Sequence, residues 1–300
     1  MSYFSTHIGE FAALLTAVFW TITAIAFESA TTKVGSMAVN FVRLVLALII
    51  LCIVTYFVRG MVLPVDATGH AWIWLSVSGL VGFVFGDYFL FKSYPLITSR
   101  ISMLIMTLVP PITAVLGWFL MQEKMNMYNI LGMVLTMIGI GMAILKRGSD
   151  KDKARISRPV AGLLFALLGS IGQAVGLILS KYGMQEYNFF AATQIRIIAG
   201  IFGFIIMVTF FRRWITIGKT LRNRPAMTGI IIGSVFGPFL GVSFSLFAVQ
   251  NTVAGIAATL MSTVPVLIIL PSLLIFRQKT TLMEVLGAFI SVIGVALFFM

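Results

Sequence analysis

The chain is poor in the residues that most enzymes and secreted domains rely on. It has one cysteine, two histidines and nine acidic residues in 300. A lone Cys52 excludes an intrachain disulfide. His7 and His70 fall near predicted span ends or in loops, which argues against a histidine metal site or proton relay inside a membrane. Charged residues are 10% of the chain, against about 25% in ordinary globular proteins. There is no His-Glu-x-x-His zinc motif and no P-loop. Gly86-Asp87 resembles part of an intramembrane aspartyl protease motif, but position 84 is Val and no second mid-membrane Asp exists to share a proton. No catalytic, cofactor or metal site is expected, and the chain is read as not an enzyme. Glu10 precedes the first apolar run with no basic n-region, so no cleavable signal peptide is expected.

Apolar residues are abundant instead, at 60%, with a mean hydropathy of +1.07. That excludes a cytosolic enzyme and a disordered chain. A β-barrel would alternate apolar and polar residues along each strand, whereas here the apolar runs are unbroken. Helices satisfy their own backbone hydrogen bonds in lipid. About 20 apolar residues cross a bilayer. Such runs fall at 8–30, 37–58, 72–92, 99–121, 127–145, 160–182, 189–211, 226–249, 255–276 and 282–300. The expected fold is therefore an all-α polytopic membrane protein of ten transmembrane helices.

The chain repeats internally. At an offset of 153, Gly9 matches Gly162 and Arg43 matches Arg196. At 155, Gly82 matches Gly237, Gly86 matches Gly241, Pro110 matches Pro265, Lys124 matches Lys279, Gly132 matches Gly287 and Gly139 matches Gly294. The offset changes by two residues, for which the basic loop 212–224 is the natural place. The expected division is a five-helix repeat over 1–146, a charged linker over 147–159 and a second five-helix repeat over 160–300. An odd number of spans per half makes the second half enter the membrane upside down. Such inverted-topology repeats place substrate sites near the midplane, where the halves meet.

With these features in hand, the chain resembles the EamA-type branch of the drug/metabolite transporter superfamily over about 8–146 and 160–300. The resemblance rests on Gly9 and Trp20 in span 1 and Phe41-Val42-Arg43 in span 2. It continues with Gly86-Asp87-Tyr88-Phe89-Leu90-Phe91 in span 3, Leu108-Val109-Pro110-Pro111 and Gln122-Glu123-Lys124 in span 4, and Gly132 and Gly139 in span 5. The second half departs from it: Gln278 stands for Glu123, Val242 for Asp87 and Gln173 for Trp20. The resemblance implies a carrier working by alternating access, commonly exporting amino acids or other small metabolites. A passive channel and a lipid translocator are the alternatives.

Ionisable groups within spans are costly and point to function by default. Glu28, Arg43, Asp87, Lys92 and Arg100 all lie toward one side, and Lys181 and Arg196 toward the other. The first set predicts a charged vestibule suited to a zwitterion or organic ion, with Asp87 as the candidate for proton coupling. The bland alternative pairs Glu28 with Arg43, and Asp87 with Lys92 or Arg100. Lys92, Arg100 and Lys181 are expected to snorkel to headgroups. Candidate substrate-binding residues are Trp20, Glu28, Arg43, Asp87, Tyr88, Gln173 and Arg196. Gly82, Gly86, Gly237 and Gly241 form small-residue stripes for close helix packing. Prolines 110, 111 and 265 are expected to kink spans 4 and 9.

The net charge of +12 is read as membrane topology rather than nucleic-acid binding. Lys and Arg favour the linker's side about fivefold, which places 147–159 in the cytoplasm and both termini outside. The resemblance alone implies cytoplasmic termini. The expected partners are a small-molecule substrate and the lipid bilayer, in a bacterial or archaeal plasma membrane. No oligomer is required, since two fused halves already supply a pseudo-symmetric pair.

Overall fold

The computed structural model describes residues 6–145, 159–267 and 282–299. All regular structure among them is helical. Helix α1 covers Ile8–Val34 and α2 Ser36–Arg59. Gly35 joins them at φ 82°, a conformation that glycine tolerates best. The third span is composite: α3 (Gly69–Gly79), a π-helical segment (Leu80–Gly86) and α4 (Asp87–Met106). Then come α5 (Val109–Met121) and α6 (Met127–Leu145).

The second half opens with α7 (Pro159–Met184) and α8 (Phe189–Phe210). A short amphipathic helix, α9 (Trp214–Arg222), precedes another composite span: α10 (Arg224–Ser234), a π-helical segment (Val235–Gly241) and α11 (Val242–Asn251). Helices α12 (Ala254–Met261), α13 (Val264–Leu267) and α14 (Leu282–Ala296) complete the described chain, with a 3-10 turn over Leu297–Phe299.

Seven segments of the described residues are long and apolar enough to cross a bilayer, and Val109–Met121 and Met127–Met142 are shorter apolar helices. The expected span 255–276 runs into residues 268–281, and the linker falls on 146–158; both stretches lie outside the described residues.

Helix α4 does not run straight. Ser93 Oγ lies 2.6 Å from Ser102 Oγ, yet nine residues of straight helix rise about 13 Å. A second observation agrees. A methyl on Gly169 would touch Leu90 and one on Gly162 would touch Ile97, so this stretch descends α7. Ser170 then hydrogen-bonds the Ile105 carbonyl, back at the level of Leu90. The chain therefore turns back within α4, between the stretches expected as spans 3 and 4.

Equivalent helices of the two halves run antiparallel. Between α6 and α14, a methyl on Gly132 would meet the Gly294 carbonyl at 2.8 Å, and one on Gly139 would meet the Gly287 carbonyl at 2.5 Å. Those four glycines are the two repeat pairs, crossed over. On α2 and α8, Leu44 meets Gly200 while Cys52 meets Gln194. The same rule relates α1, which packs along the α10–α11 span, to α7, which packs along the α3–α4 span. This is the geometry of an inverted repeat.

The burial pattern is that of a membrane bundle. Small residues fill the interior: Ala13, Ala17, Ala47, Ala166, Ala174 and Ala191 are fully buried. Large apolar residues face out, with Phe57 80% and Phe210 79% exposed. Lipid tails are as apolar as these side chains, so close backbone contact rather than hydrophobic exclusion holds such helices together. Buried hydroxyls bond back to the preceding turn, as Thr16 does to the Ala12 carbonyl and Ser234 to that of Ile230. These hydroxyls are thus satisfied without water.

The prolines differ from expectation. Pro110 and Pro111 sit at the start of α5, just after a break at residues 107–108. Pro265 follows a break at residues 262–263, the same position at offset 155. In the first turn of a helix the missing N–H costs nothing, so these prolines begin helices after a break instead of bending them at mid-length. Pro265's side chain lies outside the described residues.

Candidate functional site

The two π-helical segments are seven residues each and occupy matching places at offset 155. In the first, the Asp87 N–H reaches the Gly82 carbonyl, five residues back. In the second, the Val242 N–H reaches the Gly237 carbonyl. π-Helical turns widen the helix, and they occur frequently at functional sites. The sequence signal was present in the doubled Gly82/Gly86 and Gly237/Gly241 spacing, but helix-packing glycines look the same.

Chemically the two segments differ. At the first, Gln173 Nε2 on α7 donates to Asp87 Oδ1 at 2.7 Å and to the Gly82 carbonyl at 3.2 Å. Arg43 Nη2 on α2 donates to Asp87 Oδ2 and forms an ion pair with it. Arg43 lies over the Phe27 and Phe91 rings, 5.3 and 5.5 Å from their centroids. Arg196 approaches from α8, its guanidinium 4.9 Å from the Phe83 ring centroid and within electrostatic reach of Asp87. Arg43, Asp87 and Arg196 are only 7%, 8% and 5% exposed. The expected open vestibule is therefore a packed polar cluster at this depth.

At the second segment no described side chain is acidic. Trp20 lies against Gly241, where a methyl would sit 2.6 Å from the indole Cδ1. Thr23 and Phe27 line Gly237 in the same way. All four stripe glycines thus mark places where backbones meet a neighbouring helix.

The bland pairing is corrected. Arg43 takes Asp87; the side chains of Glu28 and Arg100, the other expected partners, lie outside the described residues. Lys92 does not reach Asp87; it donates to the Tyr88 hydroxyl at 3.3 Å and lies over Phe165. Tyr88 thus faces Lys92 and Phe89 and is no partner of the cluster. Of the seven candidate substrate-binding residues, the structure brings together Arg43, Asp87, Gln173 and Arg196, and sets Trp20 and Tyr88 elsewhere.

A second polar assembly closes the end of the bundle that carries Arg59 and Asn251. Lys181 Nζ is 2.5 Å from Glu123 Oε1 and donates to the Thr252 carbonyl at 2.5 Å. This overturns its expected snorkelling: the ammonium has a carboxylate and a carbonyl within the fold. Glu123 also accepts from the Ala254 N–H at 2.9 Å, capping α12 with a negative charge where a helix N-terminus favours one. Thr252 Oγ1 donates to Glu10 at 2.6 Å. Glu123 was legible only as part of the Gln122-Glu123-Lys124 motif; its partners come from helices 58 and 131 positions away.

Nearby, Arg59 pairs with Asp66 at 2.5 Å, and the Tyr187 hydroxyl donates to Asp66 at 2.8 Å. Burial opposes ionisation of Asp66, but the Tyr187 hydrogen bond and the Arg59 guanidinium outweigh it and hold the carboxyl below its ordinary value. Burial and the Asp66 contact push the Tyr187 phenol up to about 12.

An inverted repeat of apolar helices, with buried charges between its halves, defines a multi-pass membrane protein. The profile of the EamA-like transporter family matches residues 7–145 and 160–300. The chain belongs to that family and is an integral, multi-pass membrane protein. It is 23% identical over 178 residues to a protein of Clostridium kluyveri described as an uncharacterized transporter. That match covers 59% of this chain and 56% of the relative, so the chain spans about half the length of the relative it matches. A solved crystal structure of a protein shares the fold, with a TM-score of 0.74 at 16% identity, over 98% of this chain and 96% of that one.

Proposed function

We propose that the protein is a secondary carrier that moves small organic solutes, amino acids or similar metabolites, by alternating access, with export as its working direction. The observation that carries this reading is the buried cluster of Arg43, Asp87, Gln173 and Arg196 beside a π-helical segment, between helices of both halves. Buried ionisable groups are costly in a membrane and mark solute and ion pathways. In this reading the Glu123–Lys181–Thr252 tie closes the Arg59 end, and the solute reaches the cluster from the opposite end. Symmetry-related halves would exchange conformations to reverse that arrangement.

Asp87 is the residue proposed to couple transport to protons. Protonation would weaken its hold on Arg43 and free α2 from α4. Gln173 orients the carboxylate. Trp20 and Tyr88 are assigned to packing.

The test is counterflow in proteoliposomes holding amino acids, organic cations, sugars or nucleosides, with and without a proton gradient. Selective exchange of one class, lost in Asp87→Asn, supports the carrier. Downhill flux without exchange means a channel. Flipping of labelled lipid with no solute flux means a lipid translocator.

A further inference from the structure

Among the described residues, the charges at the cluster do not balance. Two guanidiniums, Arg43 and Arg196, face one carboxylate, Asp87. The repeat explains the imbalance: Arg43 and Arg196 are equivalent, but the partner of Asp87 in the second half is Val242. Both Asp87 oxygens are already engaged, Oδ2 by Arg43 and Oδ1 by Gln173.

Arg196 is left over. Its Nε is buried with no hydrogen-bond partner, and no described residue accepts a hydrogen bond from its guanidinium. It rests on the Phe83 ring, and its Nη2 lies 3.2 Å from where a methyl on Gly82 would be. A guanidinium carries five N–H donors and cannot lose its charge in a protein. Burying one without an acceptor is expensive unless a counter-charge arrives.

We infer that Arg196 is the anchor for an anionic group of the transported solute, a carboxylate, whose arrival completes the charge balance of the cluster. Arg43 is held by Asp87 and is the structural guanidinium of the pair. A planar carboxylate accepts two parallel hydrogen bonds from a guanidinium fork, and one negative charge brings the described cluster to neutrality. Gly82, in the first-half π-helical segment, has no side chain to stand between Arg196 and a bound group. This inference rests on the carrier reading for its transport role.

The test uses the full chain in phosphatidylcholine nanodiscs, with thermal unfolding as the readout. The probes are carboxylate and carboxamide pairs: benzoate with benzamide, lactate with lactamide, phenylalanine with phenylalaninamide. At least one carboxylate is expected to raise the melting temperature while its amide does not. Arg196→Gln removes that shift, and Arg196→Lys, a point charge without the fork, keeps part of it. Without solute, Arg196→Gln melts no lower than wild type, since it removes an uncompensated buried charge; this also shows that the variant folds.

Stabilisation by neutral or cationic solutes alone overturns the inference. So does a carboxylate-specific shift that survives Arg196→Gln, and so does the absence of any carboxylate-specific shift. Stabilisation by phosphatidylglycerol but by no soluble carboxylate, abolished by Arg196→Gln, overturns it in favour of a lipid headgroup site. The same carboxylate is then tried in counterflow. Binding without exchange sinks the carrier and leaves the anion site standing. Exchange of an amide or cation, unchanged in Arg196→Gln, sinks the anion site and leaves the carrier.

Discussion

The π-helical segments at Leu80–Gly86 and Val235–Gly241 have the same length, the same register and the same five-residue hydrogen bond at their ends. Each packs against the first helix of the other half. Around the first stand Asp87, Gln173 and two arginines; around the second stand Trp20, Thr23 and Phe27. The backbone obeys the repeat and the side chains break it. Backbone geometry follows glycine placement, which the duplication preserved in both halves. Chemistry needs only one copy, and a second buried acid facing Arg196 would satisfy the charge that the first half leaves open.

The largest effect expected from this contrast is on transport. Asp87→Asn removes the charge that holds Arg43 and should lower the counterflow rate by about one to two orders of magnitude, the equivalent of one charge-assisted hydrogen bond of roughly 1.5–3 kcal/mol. The matching truncation, Val242→Ala, should leave the rate near wild type. Equal losses in both would mean that the segments act as packing alone.

A smaller effect falls on stability at the closed end. Lys181→Met strands the Glu123 carboxylate, and should cost about 1–3 kcal/mol in thermal unfolding. It should also make the Arg59 end more accessible to a membrane-impermeant thiol reagent when the buried Ala257 is replaced by cysteine in a Cys52→Ser background. Unchanged labelling would remove the seal from the mechanism.

Glycine substitutions compare the two segments directly. A methyl at Gly241 meets Trp20 at 2.6 Å, whereas one at Gly86 meets the Gln173 amide at 3.1 Å and its backbone N at 3.2 Å. Gly241→Ala should destabilise by about 1–3 kcal/mol, the usual cost of overpacking, and Gly86→Ala by less. The reverse order in a melting experiment would show that the indole moves aside more easily than the α7 backbone.

The smallest effect is the pH dependence of the Arg59–Asp66–Tyr187 tie. The folded Asp66 pKa is depressed, so its contribution is present above the ordinary carboxylate value and disappears as pH falls through the lower, folded one. The Tyr187 pKa is raised from 10.0 to about 12, so its contribution is complete below pH 10 and fades as pH rises toward 12. Melting temperatures of wild type and Tyr187→Phe should therefore converge above pH 10. A constant gap across that range would refute the assignment.

Much of the fold was readable without coordinates. Long apolar runs name a helical membrane protein because lipid offers no partner for an open backbone. The paired glycines and Arg43 with Arg196 reveal the duplication, because close helix crossings tolerate no side chain. The π-helical segments were not readable, since a GxxxG spacing has the same appearance in an α-helix. Nor were the turn within α4 and the helix starts at Pro110 and Pro265 assigned their local form, because a proline looks alike at the start of a helix and at its bend.

For the site, sequence alone picked out the ionisable residues within the apolar runs and showed that their distribution between the halves is lopsided; it set Asp87 and Arg196 toward opposite sides, and the structure brings them within electrostatic reach. Only the tertiary structure decided their partners. Asp87 could have met Lys92, five residues along its own chain, yet it meets Arg43 and Gln173 from two other helices. Lys181 could have reached headgroups, yet it meets Glu123 and Thr252. The reason is physical: hydropathy sets the depth of a residue, whereas a hydrogen bond depends on which helix face is turned toward it. That rotation comes from the glycine contacts between helices far apart in the chain.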